Sequence, residues 1–393
     1  MKKSFVMAIA AAAVAANLCS CERVDTGDPS VPPSERGYIT LEDVAEILST
    51  VPLGAEQIAE VRDAVGSSTE NGYDEEYTMR SLFENPGTGV GDTRASAKEY
   101  GTPLRDLLRA AVEERFITRS GAPADASEYI DALTSSDVQI YWPYSELWDG
   151  SSSPVITYDP RSNADSNVGY EMAPDGTVRE IIVNEQVAQE RPVWVINYND
   201  DSAFTSLELL RRADPDWGQG GGEIIVHSSG TKASSDETKT LILRSFKMNR
   251  HYDTWFAGAS EFFVKCGSVS GFKASTEAEM RLYSPTVTDF MIVVKRSQKG
   301  KVIPFNAVLI SEWTSQLSSC AFLVTEDDGG TLDTWKCSAV VKYNSKSYGF
   351  EIDIPVHSRD DIVWRGQLTR SYVEKYSGET GHFGDIELVL ELV

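Results

Sequence analysis

The residues of this chain best suited to chemistry are aromatic and acidic. Tyr141-Trp142-Pro143-Tyr144-Ser145-Glu146-Leu147-Trp148-Asp149-Gly150 sets four aromatic rings beside two carboxylates. Aromatic faces stack on sugar rings and carboxylates accept from hydroxyls, so Tyr141, Trp142, Tyr144 and Trp148 are candidate ligand-binding residues. The competing reading is that alternate rings fill the core of a strand, with their polar edges bonded at its rim. Trp255-Phe256, beside Asp253, divides the same way between an exposed tip that binds lipid or a partner and core packing.

The second candidate is a hard-cation loop. In Asp159-Pro160-Arg161-Ser162-Asn163-Ala164-Asp165-Ser166-Asn167, the side-chain oxygens of Asp159, Asn163, Asp165 and Asn167 recur at short spacing, which would suit Ca²⁺. An EF-hand is excluded, because Val168 stands where the turn glycine belongs and Pro174 where the bidentate glutamate belongs. The alternative is an Asn/Asp-rich turn between strands. No other cofactor is expected. His227, His251, His357 and His382 are scattered, and neither a His-Glu-x-x-His run nor a Cys-x-x-Cys pair occurs. Gly267-Ser268-Val269-Ser270-Gly271 has valine in the nucleophile's place of an elbow motif. Paired carboxylates for glycoside hydrolysis would lie roughly 5–10 Å apart, but with 60 acidic residues the sequence nominates none.

Three cysteines follow the N-terminal region: Cys266, Cys320 and Cys337. A two-residue turn at Asp328-Gly329 would place Cys320 opposite Cys337, making them a candidate disulfide; the alternative is two half-buried thiols.

The elements that must position these residues fall into blocks. Residues 38–136 read as helical: Thr40 opens a capping box before Leu41, Val44 and Leu48, and Thr102-Pro103 starts a helix with a stripe of Leu104, Leu107, Leu108, Ala111 and Val112. These short amphipathic helices are expected to form a small bundle. Residues 137–235 form a mixed, mainly β region, with period-two segments at Val138–Trp142, Val155–Tyr158, Val178–Val183 and Val193–Ile196. Residues 236–393 run strand after strand, with hairpin signals at Asp328-Gly329 and near Asn344–Ser347. The fold class expected is multidomain α+β, ending in an antiparallel β-sandwich of immunoglobulin-like or C2-like kind.

Residues 1–20 have another character. Lys2 and Lys3 precede an apolar run from Phe5 to Ala16, and Leu18-Cys19-Ser20-Cys21 puts a small residue before a cysteine. This resembles the bacterial lipoprotein signal peptide and lipobox, and implies that Cys21 is lipidated and becomes the mature N-terminus. Residues 21–37, with Pro29, Pro32, Pro33 and several acids, then read as a tether too polar to order itself. Glu22 beside that cysteine resembles envelope lipoproteins of the Bacteroidetes type. The resemblance implies a lipid-anchored chain of the bacterial cell envelope, at the outer membrane, whose periplasmic or surface face stays open. Its partner would be the bilayer, through N-terminal acyl chains.

A formal net charge of −24 with no basic cluster excludes nucleic acid as a partner. With 41% hydrophobic residues the body can bury more than one core. The function expected is a non-enzymatic binding or surface-interaction protein for a glycan, peptide or envelope protein. The alternative is a hydrolase of polysaccharide or peptide, with its carboxylates in the middle region and the sandwich as accessory.

Overall fold

The computed structural model describes residues 39–84, 100–119, 123–199, 204–206, 208–209 and 238–393, with side chains of 117–125 set aside. Residues 1–38, on which the expected signal peptide, the lipidation of Cys21 and the expected tether fall, lie outside the described residues. Among the described residues no helix is long and apolar enough to cross a membrane.

The first unit interleaves helices and strands: α1 (Leu41–Ser49), α2 (Ala55–Glu70), β1 (Glu76–Thr78), α3 (Met79–Phe83), α4 (Leu104–Arg119), α5 (Pro123–Thr134), β2 (Val138–Tyr141), β3 (Val155–Tyr158), β4 (Ser166–Met172), β5 (Val178–Asn184), α6 (Glu185–Glu190) and β6 (Val193–Tyr198). The N-cap half of the expected capping box forms at α1, where the Thr40 hydroxyl accepts the Asp43 N–H at 3.0 Å. The six strands make one sheet in the order β1-β2-β6-β3-β4-β5, antiparallel except where β3 runs parallel to β6.

The described part of residues 38–136 therefore does not stand apart as a bundle. Tyr77 of β1 pairs with Ile140 of β2, and the apolar stripes of the helices share one core with Ile140, Trp142, Ile156, Trp194 and Ile196. An amphipathic helix must cover its stripe, and here the sheet of the middle region supplies a larger apolar face than neighbouring helices do. The helical and middle regions are one α+β unit.

Strand β6 shows how the unit is sandwiched. Trp194 and Ile196 face the helices, while Val193 and Val195 face a second cluster containing Trp255 and Phe256. Both faces are covered, which is why the strand reads as a continuous apolar run.

The second unit is the β-sandwich: β7 (Lys239–Met248), β8 (Ser260–Ser268), α7 (Glu277–Met280), β9 (Thr286–Val294), β10 (Ile303–Trp313), β11 (Leu317–Glu326), β12 (Leu332–Tyr343), β13 (Lys346–His357), β14 (Asp361–Thr369), α8 (Arg370–Lys375), β15 (Thr380–Phe383) and β16 (Ile386–Leu392). One sheet runs β10-β7-β16-β15 and the other β13-β12-β11-β8-β9, with β14 also on β11; the pairings are antiparallel. Leu241, Leu243 and Phe246 meet Phe262, Val264, Phe322 and Val324 between the sheets.

The hairpin at Asn344-Ser345 forms, with both residues at positive φ and Tyr343 opposite Lys346. The one at Asp328-Gly329 does not. Strands β11 and β12 pair only near Leu317 and Ser319, because β11 pairs with β14 over Ser319–Glu326 and with β8 over Ala321–Glu326. Cys320 consequently lies opposite Leu368 and Cys337 opposite Ile352. All three thiols are free, so of the two readings of Cys320 and Cys337 the structure has the unbridged one. Cys266 and Cys320 are wholly buried, and burial with Asp353 nearby pushes the Cys337 thiol up to about 11. Native protein is accordingly expected to resist a thiol reagent at neutral pH. In denaturant without prior reduction, peptide mapping should find Cys266, Cys320 and Cys337 each alkylated; a Cys320–Cys337 linked peptide would mean that the two are bridged.

Candidate metal centre

The structure separates the four aromatic candidates. Tyr141 and Trp142 are fully buried on opposite faces of the sheet, and Tyr144 is nearly so. Trp142 packs edge-on against Trp148 at 5.7 Å and Trp194 at 5.8 Å, and the indole N–H of Trp148 donates to Ser152 O at 2.9 Å. Tyr144 donates to Glu185 at 2.9 Å. These rings form no shared shelf open to solvent; of the two readings, packing shows the core one. Trp255 and Phe256 are also buried, so the tip reading is replaced by an anchor in the α+β unit.

The Asp159–Asn167 loop serves as local scaffolding. Asp159 accepts the Arg161 N–H at 2.8 Å, Asn167 donates to Tyr158 O at 2.9 Å, and Asp165 lends its backbone carbonyl to the Trp255 indole at 3.2 Å. Asn163 and Asp165 are exposed. Among the described residues, neither Asp159 nor Asp165 joins a group of three convergent acidic, histidine or cysteine ligands.

Such groups form instead at one end of the sandwich, where three connections meet: residues 249–259 between β7 and β8, 327–331 between β11 and β12, and 358–360 between β13 and β14. The positions follow from strand pairing. Glu326 ends β11 opposite Phe262 on one side and Asp361 on the other, and the Asp327 N–H donates to Glu261 O at 2.9 Å. Carboxylates far apart in sequence are thus drawn together by ladder hydrogen bonds.

Two trios result. In the first, Asp253, Glu261 and Glu326 each bring an oxygen within 4.8 Å of the others. Glu261 and Glu326 are buried, and Asp253 Oδ2 is buried with no N–H or O–H donor to it. In the second, Asp327, His357 and Asp360 converge equally closely.

The loop carrying Asp253 is pinned to the α+β unit. Asn197 donates to Phe256 O at 3.1 Å, Asp74 accepts the Ala259 N–H at 2.9 Å, and Arg296 donates to Asp253 O at 3.3 Å while pairing with Glu185 at 2.6 Å. Gly258 sits at φ 146°, and a Cβ there would lie 3.0 Å from Asp74 Oδ2, so the backbone needs glycine to approach this closely.

Crowding shows in the electrostatics. Burial, then Asp253, Asp361, Asp327 and Asp360, pushes the Asp328 carboxyl up to about 6. Burial likewise lifts Asp360 to about 6, and it raises Asp253. Like charges packed in a poorly solvated place resist ionisation together, and a cation among them would relieve that cost.

Comparison with family models, curated proteins and solved structures finds no match to this chain. The cluster was missed in the sequence because its members lie in three segments. The signal that could have found it is acidic runs at strand ends, Glu326-Asp327-Asp328 and Asp360-Asp361, set beside a histidine at the end of β13.

Proposed function

We propose that this chain is a lipid-anchored protein of the bacterial envelope that works by binding a glycan, peptide or protein partner rather than by catalysis. In this reading, a hard divalent cation of the calcium class, held by Asp253, Glu261 and Glu326, sets the shape of the seam between its two units. The lipobox resemblance supports the anchor. The observation that carries the cation is Asp253 Oδ2, buried with no N–H or O–H donor to it and set against the Glu326 carboxyl, beside the buried Glu261.

The spacing supports calcium. Oxygens 2.3–2.6 Å from one Ca²⁺ lie roughly 3.4 Å apart as neighbours and about 4.8 Å apart across the ion, and the trio falls within 4.8 Å. The residue that would ligate stands two positions before Trp255, so occupancy would stiffen the loop that anchors the sandwich on the α+β unit.

The test is thermal unfolding of the full chain in detergent, chelated and then supplied with millimolar Ca²⁺. Ligand at 100 times its Kd stabilises by about 2.7 kcal/mol, so the midpoint should rise by several degrees, and Asp253→Asn should abolish most of the rise. No shift in the wild-type protein, or an equal shift in the variant, would overturn the assignment. Intact mass of the membrane-extracted protein tests the anchor: an uncleaved, acyl-free chain would refute it.

A further inference from the structure

We infer that Asp327, His357 and Asp360 form a second, chemically different centre, which takes a first-row transition cation such as Zn²⁺ through two carboxylate oxygens and His357 Nδ1. The site goes beyond the calcium reading and does not depend on it, because its donors and the observation behind it are its own.

The trio is one donor short. His357 Nδ1 lies 3.0 Å from Asp327 Oδ1 and 3.7 Å from Asp360 Oδ1. A ring nitrogen carries at most one proton, and the shorter contact takes it. Asp327 Oδ1 also accepts the Gly329 N–H at 3.1 Å, and Asp360 Oδ2 accepts the His357 backbone N–H at 2.9 Å. Asp360 Oδ1 is left buried, on a side chain only 2% exposed, with no N–H or O–H donor within hydrogen-bond distance: it faces the Asp327 carboxyl, itself an acceptor, and His357 Nδ1. A buried carboxylate oxygen without a donor is costly, and this one points at the ring nitrogen and carboxylate that would complete a ligand set.

The geometry fits a small cation. Zinc binds imidazole nitrogen and carboxylate oxygen at 2.0–2.2 Å, which puts neighbouring ligands about 3.4 Å apart in a tetrahedron and about 3.0 Å apart in an octahedron. The two separations, 3.0 and 3.7 Å, bracket those edges. Two carboxylates and one imidazole suit Zn²⁺, Mn²⁺ or Fe²⁺, whereas the all-carboxylate trio suits calcium.

Supports are already in place around the ligands. The Asp327 backbone is held by Glu261 O and that of His357 by Asp360. The Phe204 ring lies 5.9 Å from the imidazole and 4.6 Å from Phe263, walling one side with apolar surface. Asp328 and Asp361 add negative charge around the trio, while Lys265 is engaged by Pro355 O at 2.7 Å and Asp289 at 3.3 Å. On metal binding, Nδ1 gives its lone pair to the cation, so the proton of the neutral ring resides on Nε2 and any second proton leaves to solvent.

Titration calorimetry of the chelator-treated full chain in detergent, with Zn²⁺ alone, tests the centre, and Co²⁺ visible absorption reports its ligand field. The expected result is one equivalent of zinc, with affinity falling at least about 100-fold in both Asp360→Asn and His357→Gln. Asp253→Asn should leave zinc binding intact, which separates this centre from the calcium trio. Far-UV circular dichroism identifies any variant that fails to fold; if the His357 variant unfolds, the near-isosteric Asp360→Asn decides. No saturable zinc binding by the wild-type protein, or equal affinity in a folded Asp360→Asn, would overturn the inference.

Discussion

Replacing Glu75 by glutamine is expected to make the protein progressively more stable than wild type as pH rises, by about 5 kcal/mol between pH 4.5 and 8. Glu75 is fully buried, and its Oε1 accepts both the N–H and the hydroxyl of Ser145 while Oε2 has no hydrogen-bond partner. Burial, opposed by Lys295 and aided by Asp74 and Glu146, moves the carboxyl from its ordinary 4.5 up to about 8. The folded state therefore holds its proton where the unfolded chain has lost it. Stability from this group is complete below pH 4.5, declines as pH rises, and levels off above 8. That interval, at 1.36 kcal/mol per pH unit, gives the magnitude. Glutamine fits the same space and does not titrate. Denaturant unfolding of both proteins at intervals from pH 4.5 to 9 measures the effect, and parallel stability profiles would refute it.

Replacing Trp142 by alanine is expected to cost about 3–5 kcal/mol, the usual range for emptying a large buried aromatic site. Trp142 is wholly buried, wedged edge-on between Trp148 and Trp194, and its backbone N–H holds Glu75 O at 2.9 Å. The neighbouring change Tyr141→Phe is the contrast. The Tyr141 hydroxyl is buried without a hydrogen-bond partner, so removing it should be neutral or stabilising. Equilibrium unfolding distinguishes the pair; a loss below about 1 kcal/mol for Trp142→Ala would mean that the ring is not the packing element described.

Local pattern accounts for much of the architecture. The Thr40 cap, the α4 stripe and the alternation of Ile386, Leu388, Leu390 and Leu392 in β16 were legible, because each depends on residues within a few positions of one another. The Asn344-Ser345 turn was legible for the same reason. The Asp328-Gly329 turn misled, because its dipeptide favours a tight hairpin while β11 finds better pairing with β8 and β14, and with that pairing went the candidate disulfide.

The aromatic run illustrates the limit for sites. Four rings near two carboxylates have one composition whether they line a shelf or fill a core, and only the helices on one face of β2 and Trp255 and Phe256 on the other decided for the core. The cation cluster has the opposite history: Asp253, Glu261, Glu326, Asp327, His357 and Asp360 span more than 100 positions and share no motif.

By itself, then, the sequence determined the helix and strand periods, the sandwich class of residues 236–393 and the resemblance of residues 1–21 to a lipoprotein signal, since all of these are written in neighbouring residues. The tertiary structure alone decided that the first two blocks are one unit, that the thiols stay apart, and that the buried acids meet at the strand ends. Strand order is chosen by burial and hydrogen bonding across long separations, and a carboxylate becomes a metal ligand only through neighbours that the fold, not the chain, brings to it.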